Sequence, residues 1–422
     1  MEARMLDVAI TGTGIVSGLG CGSRKFHDAM MAGEIAIREA PWHKGESGRP
    51  SWWAVVRDFN PRDWMNEKIE DGTDMFSQFA LAAAKQAIGA AGLDKFDPLR
   101  TGVVHGTSIG GARALMKAQH LLESGGPSSI PRKTEIQIYP NMAASQIAMQ
   151  HGLHGPSLTI TTACASSLDA IGTAAHMIAS GRADVLLAGG TEGGLALPGG
   201  LPDHDFVPAL YYTSTAYGMV APSNDPRRAM MPFDVKRSGI VVGEGSAMFV
   251  LERGDHARAR GADILGYVRG YGSLADAYHP SAPEPSGKWE ARAIEMALAD
   301  AGIAPERVDA LVAHATGTPK GDTAEIQAIN RVHGNRRSRL PVASVKGHLG
   351  HSGASSGGMA LVTGLLGMRE DRFVFTANTD EPDPEAKFDI VIAEPRHVKV
   401  DTLQINAFGF GGQNASIVVT RT

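Results

Sequence analysis

Cys164 is one of two cysteines in a chain of 422 residues, and it stands in the stretch TTACASSLDAIG. The apolar strand pattern PSLTITTA runs straight into it. ASSLDAIGTAAHMIASG follows, with Leu168, Ile171, Ala175 and Ile178 at helical spacing. This predicts a strand-to-helix turn, with Gly181 just past the end of the helix. A thiol at a helix N-terminus meets the partial positive charge of unpaired N–H groups, which favours the thiolate and lowers its pKa. The small neighbours Ala163, Ala165 and Ser166 permit a sharp turn and the approach of a substrate carbonyl. An arbitrary cysteine is more often a buried, inert thiol, and a nucleophilic one needs partners. Two histidines stand in suitable loops. His314 lies in VAHATGTPKGDTAE after the strand pattern DALVA, and His351 lies in SVKGHLGHSGASSGG after PVASV. Both loops are rich in Gly, Ser and Thr, a composition that exposes backbone and hydroxyl groups to a ligand.

Other motifs compete with this set. GTSIG, from Gly106 to Gly110, matches the GxSxG elbow of serine hydrolases and makes Ser108 a rival nucleophile. That reading leaves Cys164 and both histidine loops unexplained. GTGIVSG at Gly12 is only a partial dinucleotide fingerprint, because Ser17 holds its last glycine position. His348 and His351 are three residues apart, but no carboxylate or third ligand accompanies them, so no metal site is expected. Cys21, in GLGCGS, has no comparable setting and reads as structural.

The elements that must position these residues alternate between strand and helix. DVAITG, TGVVHG, SLTITTA, DVLLAGG, SAMFVLE, DALVAH, LPVASV and LQINAF all read as buried strands, which predicts an α/β fold with helix-covered sheets. Two segments resemble each other: ALAAAKQAIGAAGLDKFDPLRTGVVHGTS and AIEMALADAGIAPERVDALVAHATGT. Each reads as helix, Ala-Gly helix end, polar turn, strand, and then His before a Gly/Thr loop. A duplicated α/β half follows from this, with the seam in LERGDHARARGADILGYVRG, giving halves 1–258 and 259–422. Net charge is −5 and aromatic content 6%, which argues against nucleic acid or an anionic membrane as partner. Two cysteines form neither a disulfide framework nor a zinc set, and the N-terminus does not read as a signal peptide. With no apolar run of about 18 residues, the expectation is a soluble, cytoplasmic protein.

Together, TTACASS, HATGTPKGDTAE, SVKGHLGHSGASSG and NAFGFGGQNAS resemble the elongating β-ketoacyl-acyl carrier protein synthases, the condensing enzymes of fatty acid and type II polyketide synthesis. The similarity runs from AITGTGIVSGLG to FGFGGQNAS. The resemblance implies the thiolase fold, five αβαβα layers from two duplicated halves, usually dimeric. It implies an acyltransferase that performs decarboxylative Claisen condensation of a Cys164-bound acyl group with a malonyl thioester. Cys164 would be the nucleophile, His314 and His351 would bind the malonyl thioester, and Lys346 would hold the histidines. Thr316 and Thr318 would contact a phosphopantetheine arm. Ile109 and Phe408 would line the substrate path. Phe410 would gate it and share the oxyanion hole with the Cys164 backbone. No cofactor is implied beyond that arm, borne by an acyl carrier protein. The partner subunit would be a second copy or a chain-length-factor-like paralogue.

Three departures stand out against the family pattern. Ala360 occupies the place of a glutamate nine residues after the second histidine. Asp71 and Gly72 stand where basic residues that dock the carrier protein are common. Gly218 replaces a further arginine, leaving Arg132, Lys133, Arg227 and Arg228 as alternative basic contacts. A non-catalytic chain-length factor typically lacks the cysteine. Cys164, His314 and His351 therefore put this chain on the catalytic side, with pairing to such a subunit still open.

Overall fold

The computed structural model describes residues 7–44, 50–193 and 209–421; the final glycine of the GGTEGG cluster, Gly194, lies outside them. The first half contributes strands β1 (Val8–Ser17), β2 (Thr101–Gly106), β3 (Ser157–Ile160), β4 (Val185–Glu192) and β5 (Gly245–Arg253). The second contributes β6 (Gly266–Ala275), β7 (Ala310–Val312), β8 (Pro341–Ala343), β9 (Thr402–Gly409) and β10 (Gln413–Thr420). Their spatial orders are β3-β2-β4-β5-β1 and β8-β7-β9-β10-β6, so both halves follow the same path. Directions repeat as well. β2 is parallel to β3 and β4, and β5 is antiparallel to β4 and β1. β7 is parallel to β8 and β9, and β10 is antiparallel to β9 and β6. The first strands of the two halves pair antiparallel, Val8 opposite Val268, and join the sheets.

Helices fill three layers around these two sheets. Helix α1 (Met75–Ala91) and helix α2 (Met142–His151) cover the outer face of the first sheet, where a cluster around Phe76, Phe79, Ile147 and Val250 is buried. Helix α3 (Ser166–Ala179) and helix α7 (Ser356–Glu370) lie between the sheets and carry the central core, which includes Leu168, Ile171, Leu361 and Leu365. Helix α4 (Lys288–Ala301) and helix α5 (Pro319–His333) cover the second sheet through Ile294, Leu298 and Ile329. This is the five-layered thiolase fold. Strands covered on both faces have no polar side, which is why they read as continuous apolar runs.

The repeated sequence segments fall on corresponding elements, α1 with β2 and α4 with β7. The glycines of GTGIVSG have a packing role that its partial likeness to a nucleotide fingerprint obscured. A Cβ on Gly12 or Gly14 would lie 2.1 or 1.9 Å from the carbonyl oxygens of Ala87 and Ala83 in α1. Gly270 and Gly272 stand in the same relation to Ala297 and Ala293 in α4, at 2.1 and 2.3 Å. Each outer helix thus rests directly on its half's first strand, a contact that only glycine permits.

Candidate active site

Cys164 sits where the end of β3 meets α3, but not on the helix itself. It occupies a single 3-10 turn, Ala163–Ala165, whose first residue has φ +50°. A left-handed alanine is strained, and surrounding contacts must hold it. The Ser166 hydroxyl does so, donating to the Ala163 carbonyl oxygen at 2.6 Å and accepting from the Thr162 N–H at 2.9 Å. The second half repeats the device. Gly353, at φ +54°, opens the 3-10 turn that feeds α7.

The second half brings both imidazoles to the sulfur. His351 Nε2 lies 3.0 Å from Cys164 Sγ, and its Nδ1 lies 3.0 Å from the Ser356 hydroxyl. The His314 ring stands 5.5 Å from that of His351, nearly perpendicular to it at 85°. Lys346, the first residue of the short helix α6 (Lys346–Leu349), donates to the His314 carbonyl oxygen and lies 3.5 Å from His314 Nδ1. An ammonium only donates, so Nδ1 of His314 accepts and the ring proton stays on Nε2. Burial, with Lys346 nearby, pushes His351 down to about 3 and His314 well below the usual imidazole range. Both rings are therefore neutral at physiological pH. Burial also lowers Lys346 to about 8, with Glu325 the leading opposing charge.

The thiol departs from the sequence expectation. Burial raises Cys164 to about 11, against the pull of Lys346 and of the Phe410 and Cys164 backbone N–H groups. The helix mouth alone does not outweigh loss of water around the sulfur. At rest the group is a thiol, faced by the Phe410 and Cys164 backbone N–H groups.

A cavity of about 550 Å³ connects these groups. Cys164, His314, His351, Thr316, Thr318, Phe408 and Phe410 all line it. The Thr316 and Thr318 hydroxyls lie 2.9 Å apart, and Thr318 also caps α5 by accepting from the Gly321 N–H at 3.2 Å. The Phe408 ring is 5.8 Å from that of His314, and Phe410 is 47% exposed at the mouth. Ile109 is not part of this wall; its backbone N–H turns to Glu192. The Ser108 amide lies 3.2 Å from the same carboxylate, to which its hydroxyl also turns. Nearby His105 bonds Thr191 at 3.0 Å instead, so this imidazole does not serve Ser108. Both ring nitrogens of His348 face carbonyl oxygens, those of Glu34 and Phe375, at 2.9 and 3.0 Å, as suits a structural histidine. Cys21 packs against the outer core of the first half.

Three supporting residues were not singled out in the sequence. Glu325 accepts from the His314 and Ala315 N–H groups at 2.9 and 2.6 Å and fixes the histidine loop from below. Glu192 ties the Ser108 loop to the Ala354 N–H at 3.2 Å, joining that loop to the turn that feeds α7. Gly409 touches the nucleophile turn, and a Cβ there would lie 2.8 Å from the Thr162 oxygen and 3.0 Å from the Cys164 nitrogen. Their signal was present in TPKGDTAE, GGTEGG and FGFGG, yet a carboxylate that binds only backbone N–H groups has no spacing rule. Gly409→Ala should displace the turn and cut turnover about 100-fold while the protein stays folded, as steady-state rates beside a melting curve would register.

Residues 5–257 match the N-terminal domain of the beta-ketoacyl synthases, and residues 265–380 match their C-terminal domain. The chain belongs to the beta-ketoacyl synthase family. It is 37% identical over 423 residues to the 3-oxoacyl-[acyl-carrier-protein] synthase 2 of Coxiella burnetii, covering 100% of this chain and 99% of that one. Among solved structures, a type II polyketide ketosynthase in complex with its acyl-carrier protein and bound to the hexaketide superposes with a TM-score of 0.89, at 29% identity, covering 99% of this chain and 100% of that one. The ishigamide ketosynthase/chain length factor gives 0.88, at 29% identity, with 99% and 100% covered. The present chain is a ketosynthase, an acyltransferase that extends acyl chains by decarboxylative condensation.

Proposed function

We propose that this ketosynthase carries its growing acyl chain on Cys164 and condenses it with malonyl thioester on an acyl carrier protein, using His314 and His351 together. The observation that carries this is the 3.0 Å approach of His351 Nε2 to Cys164 Sγ, with His314 in the same cavity. In the first half-reaction the sulfur attacks the acyl thioester. The bond from carbonyl carbon to arm sulfur breaks, and the thiol proton ends on the departing arm thiol. In the second, the malonyl C–CO₂ bond breaks and its electrons collapse into the thioester carbonyl. Nε2–H of both imidazoles donates to that oxygen, each such donor stabilising it by about 2.7–4 kcal/mol. The carbanion attacks the Cys164 thioester, whose oxygen is held by the Cys164 and Phe410 N–H groups. The released thiolate takes up one proton per condensation, in keeping with a thiol raised to about 11.

Thr316 and Thr318 then contact the phosphopantetheine arm, Lys346 holds the histidine loop, Phe408 and Phe410 flank the entrance, and Ile109 borders the acyl path beyond the turn. The halves 1–258 and 259–422 belong to the same reading, supported by the repeated strand order and by family matches that break between residues 257 and 265. Docking of an acidic carrier protein would fall to exposed Arg132 and Lys133, near the Asp71 loop that Gln137 reaches at 3.1 Å, and to Arg227 and Arg228. A second subunit, either a copy or a chain-length-factor-like paralogue, would cover the edge strand β3. Leu158 there is 43% exposed, and Leu115, Ile136, Tyr139 and Met149 are exposed as well. An uncovered apolar edge favours association. No helix among the described residues is long and apolar enough to cross a membrane, which suits the reading of a cytoplasmic enzyme.

Intact-mass analysis with a panel of acyl carrier-protein thioesters tests the proposal. Mass gain should map to Cys164 and persist in Ser108→Ala. An adduct on Ser108, or none on Cys164, would overturn it.

A further inference from the structure

The active-site cavity contains a carboxyl group that the mechanism does not use. Glu290, in the first turn of α4, lines the cavity beside Asp276, yet the residue is only 2% exposed. Its Oε2 has no hydrogen-bond partner. Asp276, by contrast, is satisfied by Asn414 Nδ2 at 2.5 Å and by the Glu284 N–H at 2.9 Å. The charged groups that act most strongly on Glu290 are acidic: Asp276 at the end of β6, Glu284 in the loop before α4, and Asp322 and Glu325 from α5; Lys320 of α5 lines the same cavity and Lys288 opens α4. Lys346 lies next to His314. Burial, with this repulsion added, holds Glu290 well above the usual carboxylate range and favours its protonated form. A protonated carboxyl, unlike a carboxylate, has a proton to donate.

We propose that Glu290 is a positioning residue for the substrate arm, its carboxyl O–H donating to an amide carbonyl of the pantetheine chain that bears the thioester. The inference rests on the passage of that arm through this cavity. The arm's amides lose water on entering and need partners there. The Thr316 and Thr318 hydroxyls share one hydrogen bond and keep one O–H to offer the arm; Glu290 adds an oxygen without a partner. A carboxylate at the same place would repel the carbonyl oxygen, so protonation is what suits the group to the contact.

The test measures binding of S-methyl-pantetheine, which carries the arm but neither acyl group nor free thiol, by its protection of Cys164 from iodoacetamide. Glu290→Gln keeps a neutral donor and should bind within about twofold of the parent, while Glu290→Ala should bind about 3–10-fold more weakly, the size of one neutral hydrogen bond. As the pH is raised and Glu290 ionises, the parent should lose affinity, and Glu290→Gln should not follow that course. The comparison between parent and Gln stands even if the Ala variant misfolds. Unchanged binding in a folded Ala variant, a Gln variant as weak as Ala, or the same pH course in parent and Gln would overturn the inference. A parent that fails to bind S-methyl-pantetheine at all would instead overturn the reading of the cavity as the arm's path.

Discussion

Cys164→Ala should abolish covalent acyl uptake and lower condensation by about 10⁴-fold or more, since removal of a nucleophile that acts with its partners forfeits nearly the whole covalent route. The variant should still decarboxylate malonyl thioester. Nε2–H of His314 and His351 would remain in the cavity, and the enolate they stabilise does not require an acyl group on sulfur. Carbon dioxide release measured beside β-ketoacyl formation separates the two steps. Loss of both together would mean that the sulfur is needed for decarboxylation as well. Retention of both would remove Cys164 from the chemistry.

His314→Ala should divide the reaction the other way. The ring is not in hydrogen-bond contact with the sulfur, and its Nε2–H is free to face a substrate oxygen. Acyl transfer to Cys164 should proceed within about threefold of normal, whereas condensation should fall by about 10²–10³, the cost of one lost oxyanion donor. Rapid-quench acylation followed by addition of malonyl thioester would record both rates. Equal loss in the two steps would show that His314 acts on the thiol and not on the enolate. The neutral state of both rings makes this a matter of hydrogen bonding and not of charge, so the deficit should be flat across physiological pH.

Much of the site was legible because its chemistry depends on residue type in a local context. Cys164 follows a strand, precedes a helix and has small neighbours; His314 and His351 each follow a strand and enter a Gly/Thr loop. The fold was legible for a related reason. Strands covered on both faces are written as apolar runs, and the duplicated helix-strand segments repeated closely enough to be seen. What could not be read was distance through space. Glu192, Glu325 and Gly409 act across more than one element, and their partners are mostly backbone atoms, which leave no trace in side-chain pattern. The thiol's protonation state was missed for the same reason. The helix mouth is local and visible in sequence, but the exclusion of water is a property of the assembled halves.

The matching turns at Ala163 and Gly353 bear on the ancestry of the enzyme. A protein of half this length, associating with its own copy, would present two identical loops across one cleft. Neither loop alone would hold both a sulfur and an imidazole in different stations. Carried on one chain, each loop is free to differ, one toward accepting a chain and the other toward polarising its extender. Asymmetric chemistry on a symmetric scaffold is then reached through point substitutions, without any new backbone.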